Sequence, residues 1–218
     1  MRTHVLARTI GFATVAAAVG ALTLASNVDA SQPVTQTLNP PPPSFVVCQA
    51  VGSGTICDGS RTLQHGPIDV ADEGAPAFAC GSGSSAFHIL DTAMVDQHVV
   101  RYYDRNGNLT RRVIHELWRS AQLSNSLTGT ALPYKQSDTI SDDLAVPGDF
   151  DTSTETIAGN GAIVTVPQEG AIFIQAGRNV FSPDGSLDFR AGPDAAIDYF
   201  VDGDTSVWQP VCAALGAN

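Results

Sequence analysis

The densest chemistry in the chain is YYDRNGNLTRRV, residues 102–113, which gathers an aspartate, two asparagines, a glycine and three arginines. Three readings compete for it: calcium ligation by alternate oxygens, anion capture by the arginines, and the bend of a β-hairpin. Asp104, Asn106 and Asn108 take the first, third and fifth places of a calcium loop. Such a loop also requires glycine sixth and glutamate twelfth, where this chain carries Leu109 and His115, so no metal is expected there. The bend explains more of the residues. YDRNGNL (103–109) aligns without gaps on FSPDGSL (181–187), with an aromatic first, Asn or Asp before Gly, and Leu two places on. Gly107 and Gly185 supply the positive φ that closes a three-residue hairpin loop.

With Arg105, Asn106 and Gly107 as the loop, continued pairing sets Arg101 opposite Arg111 and Val99 opposite Val113. Gln97 and His115 then share that face. Like charges in direct opposition destabilise a sheet unless a partner intervenes. The candidate ligand-binding residues are therefore Gln97, Arg101, Arg111 and His115, a set suited to holding a carboxylate or phosphate. The competing reading is a solvent face on which neighbouring acids neutralise the arginines.

Other catalytic patterns are absent. No Gly-x-Ser-x-Gly occurs, and CGSGSS after Cys80 has the wrong spacing for a nucleophile elbow. His115-Glu116 opens a zinc-protease pattern, but Arg119 stands where the second histidine belongs. His65, His88, His98 and His115 show no ligand spacing along the chain, and no cofactor motif is present. Paired carboxylates for hydrolysis are a matter of space and not of sequence. The acids Asp138, Asp142, Asp143, Asp149, Asp151 and Glu155 read as an exposed acidic loop.

These residues need a frame and an address. Arg2 and Arg8 precede an apolar run from Ile10 to Leu24, and Val28-Asp29-Ala30 forms a small-x-small cleavage pattern. This predicts a secretory signal peptide over residues 1–30; the run is too short for the roughly 20 residues of a membrane span. Residues 31–218 then hold 21 acidic and 9 basic groups, a formal charge of −12. A product so acidic repels phosphates, which excludes nucleic acid and anionic lipid as partners. Cys48, Cys57, Cys80 and Cys212 all follow the predicted cleavage point, and an even count in an exported chain predicts disulfides. VVCQAVGSGTIC reads as a hairpin joining Cys48 to Cys57, which leaves Cys80 for Cys212. Closing that long loop contributes roughly 4 to 5 kcal/mol on the chain-entropy argument.

Residues 31–44, with four consecutive prolines, predict an extended linker. Residues 45–78 predict the disulfide hairpin and an irregular arm, and residues 79–218 an antiparallel β domain. Pro210 early and Gly216 late predict one short C-terminal helix carrying Cys212. The fold class is all-β, a small antiparallel barrel or a curled sandwich, with closure favoured because open edges aggregate.

Cys80, YYDRNGN, NSLTG (125–129), GRNVFSPDGS (177–186) and the ending VCAALG together resemble a group of uncharacterised exported β-rich proteins of actinobacteria. The resemblance spans about residues 79–216 and implies the same export signal, β domain and closing disulfide. It implies no reaction and no site residue. The acidic segment 138–155 departs from the group's pattern. The function expected is a secreted, non-enzymatic binding or envelope-associated protein whose partner is a small anionic or amphipathic molecule or an envelope component. An extracellular hydrolase using acids or histidines of the β domain is the alternative.

Overall fold

The computed structural model describes residues 34–72 and 77–216, so the predicted signal peptide lies outside the described residues. Eight antiparallel strands form one sheet in strict chain order. They are β1 (Val47–Val51), β2 (Gly54–Asp69), β3 (Ile89–Tyr103), β4 (Leu109–Asn125), β5 (Ala131–Leu144), β6 (Ser153–Val166), β7 (Gly170–Phe181) and β8 (Leu187–Ala191). Two short helices follow, α1 (Ala195–Phe200) and α2 (Gln209–Gly216). The class is the expected one. β1 and β8 each pair on one side only, so the sheet is an open meander, not a closed barrel.

Three local expectations change. The stretch after Cys57, expected as an irregular arm, continues β2 to Asp69 and pairs with β3 along its length. Its glycines hide the strand: a Cβ at Gly59 would lie 2.5 Å from the Phe45 carbonyl oxygen, so the residue is small because the chain before β1 crosses there. The acidic segment is not one exposed loop either. Asp138, Asp142 and Asp143 lie within β5 and Glu155 within β6, and Asp142 is only 2% exposed. The proline-rich linker, from residue 34 on, is docked and not free. Asn39 bridges Asn108, the Tyr103 hydroxyl donates to the Pro40 carbonyl at 3.0 Å, and Leu38 packs against the cluster that includes Tyr103 and Leu109.

The helices cover one face of the sheet, here the inner face. Ala93 and Val95 of β3, Leu123 of β4, Tyr134 of β5, Val164 of β6 and Phe173 of β7 pack there with Tyr199, Trp208, Val211 and Leu215. Asp194 caps α1 by accepting from the Ile197 amide at 3.1 Å. A second core at the hairpin end joins Cys57, Tyr103, Leu109 and Leu144. Both disulfides pair as expected: Cys48–Cys57 across β1 and β2, and Cys80–Cys212 from the start of the main domain to α2.

Candidate functional site

The opening stretch is a hairpin bend. Asp104 Oδ1 accepts from the amides of Asn106 (2.8 Å) and Asn108 (2.9 Å), so the carboxylate holds its own turn. Gly107 takes φ +82° and Tyr103 pairs with Leu109, as the three-residue loop requires. Beyond the loop the expected register fails. Thr110 is an extra residue, with its hydroxyl donating to the Tyr102 carbonyl at 3.1 Å, and pairing resumes with Tyr102 opposite Arg111. One residue of slip moves a side chain to the other face. Arg101 therefore faces Arg112, Val99 faces Ile114, and Gln97 faces Glu116, while His115 faces His98. The second copy repeats the device: Phe181 pairs with Leu187, then Val180 with Phe189 around the extra Asp188.

The four candidate residues thus divide. Gln97 and Arg101 point to the inner face; Arg111 and His115 point to the outer one, correcting the single cradle expected of them. Both arginines have local partners, although the Arg101 Nε is buried without one among the described residues. Arg111 lies 3.5 Å from Asp143, and Arg101 donates to the Pro41 carbonyl. Arg112, now the partner of Arg101, binds the buried Asp142 at 2.6 Å and stacks on Phe150.

The inner face holds a different constellation. Between the sheet and the helices lies a pocket of about 250 Å³. Trp118, Leu123, Phe173 and Trp208 supply apolar wall, and Phe200 is 37% exposed beside it. Phe173 and Trp208 stack with centroids 4.4 Å apart. Polar groups enter from the strands: Asp91, Tyr134, Gln136 and Gln175. The Tyr134 hydroxyl donates to Asp91 at 2.9 Å, and His65 Nε2 lies 3.4 Å from the same carboxylate. Burial lifts the Asp91 carboxyl above its ordinary range, against the lowering effect of Tyr134 and His65. Trp208 is 5% exposed, and its indole N–H is buried without a hydrogen-bond partner among the described residues. An apolar cavity with a few polar groups at one end has the composition of a small-molecule site.

A second polar group runs across the middle of the inner face. Arg61 Nε donates to Gln97 at 2.7 Å, and Gln97 Nε2 donates to Glu116 at 2.6 Å. Trp118 Nε1 also donates to Glu116, at 3.1 Å. Glu116 stands opposite Asp138 in the β4–β5 register. Burial, reinforced by the Glu116 charge and opposed by a hydrogen bond from Gln136, pushes the Asp138 carboxyl up to about 7. Gln97 is thus part of a polar row, though not the one expected.

No protein-family model, curated protein or solved structure matches the chain. Among the described residues no helix is long and apolar enough to cross a membrane. Sequence reading missed Asp91, Tyr134, Trp118 and Trp208. A signal was there: Asp91 interrupts the alternate apolar set Ile89, Ala93, Val95, and a lone acid on a core face is a warning of function.

Proposed function

We propose that this chain is an exported binding protein for a small amphipathic molecule held between the sheet and its helices. The observation that carries the reading is the apolar pocket walled by Trp118, Phe173 and Trp208, with Asp91 and Tyr134 as its polar end. At about 30 Å³ per water-sized group, 250 Å³ admits roughly eight non-hydrogen atoms. The ligand is therefore a small ring or branched chain, or the end of a longer molecule. It lays an apolar body against the aromatic wall and offers a donor to the Asp91 end. An anion is disfavoured, because the pocket's only charge is acidic and the arginines lie elsewhere. Two disulfides fit an oxidising compartment, and the leader-like residues 1–30 support export.

Both tryptophans of the chain line the pocket, so intrinsic fluorescence reports on it directly. Titration with small aromatic alcohols, ketones and amides should shift the emission saturably and raise the melting temperature. Ala162→Leu, which fills the pocket from β6, should abolish both effects. Absence of any response up to millimolar concentration, or unchanged binding in Ala162→Leu, would reject the proposal.

One observation favours a second reading, acid–base hydrolysis: Glu116 and Asp138 form a carboxyl pair in which one member titrates at about 7. Generic glycoside or ester substrates should then be cleaved, with loss in both Glu116→Gln and Asp138→Asn. Activity that survives either change would exclude it.

A further inference from the structure

The face of the sheet opposite the helices carries histidines that the linear spacing keeps apart. Residues 98 and 115 are 17 positions distant, yet the Thr110 bulge makes them direct partners across β3 and β4. Their imidazoles lie parallel within 9°, with centroids 6.2 Å apart. Both rings are exposed and border an open groove of about 610 Å³ between Ser60, Thr62, Leu117 and Ser137. The groove also includes Asp96, whose carboxylate is occupied by Arg119 and by the Thr62 hydroxyl.

We propose that His98 and His115 form a two-histidine site for a transition-metal cation of the Zn²⁺ or Cu²⁺ class. Residues directly opposite in an antiparallel pair have Cβ atoms about 4.5–5.5 Å apart. Two imidazoles so placed can each turn one nitrogen to a common ion at about 2.0–2.1 Å. Each ring also has a polar neighbour beside its other nitrogen. His115 Nδ1 lies 2.9 Å from the Thr139 hydroxyl, and with the proton on that side Nε2 presents its lone pair. His98 Nε2 lies 3.9 Å from the Asp58 carboxylate, beyond hydrogen-bond reach but on the side that favours a proton there and leaves Nδ1 for the ion. A carboxylate or hydroxyl behind a ligating histidine is the usual support of such sites, setting tautomer and basicity. Among the described residues no group of three or more His, Cys, Asp and Glu side chains is arranged for a metal ion. Water therefore completes the coordination, and the cation is exchangeable and not structural. Imidazole selects Cu²⁺, Ni²⁺ and Zn²⁺ over Ca²⁺ and Mg²⁺, which prefer oxygen. This site is independent of the pocket on the inner face.

The test is calorimetric titration of the untagged chain with ZnCl₂ and CuCl₂. One ion per chain should bind, Cu²⁺ more tightly than Zn²⁺. His98→Gln and His115→Gln should each weaken binding by about tenfold or more, while His88→Gln, whose ring pairs with Asp69 at 2.6 Å and does not border the groove, leaves it unchanged. In the unmodified protein, sub-stoichiometric Cu²⁺ should broaden the amide resonances around residues 98 and 115 first. No uptake by the wild-type chain, uptake unchanged in both glutamine variants, or broadening centred elsewhere would overturn the proposal.

Discussion

Asp138 is the residue whose environment most departs from its chemistry in water. Its carboxyl, raised from 3.8 to about 7, keeps a proton in the folded chain at pH values where the unfolded chain has lost it. Folding therefore takes up a proton between about pH 4 and 7, and the stability held below that window falls as pH rises through it. Asp138→Asn should leave the melting temperature at pH 4 nearly unchanged and raise it at pH 8. Asp91 and Glu155 are shifted in the same direction, by burial first in each case, so the variant reduces the pH slope without removing it. A melting curve at pH 8 no higher than that of wild type would contradict the assignment. Arg112 sets a contrasting case. Its partner Asp142 is 2% exposed, so Arg112→Met strands a buried charge and should cost about 3 kcal/mol in chemical denaturation. Glu155→Gln removes a neighbour that Asp142 repels and should be neutral or mildly stabilising at neutral pH.

At the scale of elements, the two repeated hairpins share loop and bulge but differ in what surrounds them. Gly107 and Gly185 adopt nearly the same φ, +82° and +81°. A Cβ at Gly107 would sit 2.3 Å from the Thr37 carbonyl of the docked arm, whereas nothing lies within 4 Å at Gly185. Gly185→Ala should therefore cost about 1 kcal/mol for left-handed backbone alone, and Gly107→Ala distinctly more, about 2 to 3 kcal/mol. Equal costs would mean that the arm does not dock in solution. These loops were legible in the sequence because turn chemistry is local: an Asp or Asn before Gly, a preceding aromatic, a following Leu. The bulge was not legible. Thr110 and Asp188 share no residue type, and nothing in a strand's alternation marks which residue is surplus. That single omission reversed the faces of Arg111 and His115, dissolved the expected arginine cradle and concealed the His98–His115 pair.

For the whole molecule, the sequence disclosed what long-range chemistry leaves as a short list. Four cysteines permit three pairings, and one hairpin selects among them. The pocket was not legible, because Asp91, Trp118, Tyr134, Phe173 and Trp208 come from five separate elements or connections and meet only when the sheet curls beneath the helices. Cys80–Cys212 fastens that helical lid, its ends 132 positions apart, so Cys80→Ser with Cys212→Ser should cost about 4 to 5 kcal/mol. Removing Cys48–Cys57, only 9 residues apart, should cost nearer 2 to 3 kcal/mol and leave the pocket intact. Thermal denaturation of the two double variants, with ligand-induced fluorescence as a second readout, separates the effects. A ligand pocket walled by both tryptophans is tested most directly by following the two tryptophan Nε1–H resonances by ¹⁵N NMR during titration with a small amphipathic molecule. Both tryptophan signals should shift saturably, and both should be silent in Ala162→Leu. Tryptophan signals that stay fixed while other parts of the chain respond would contradict it.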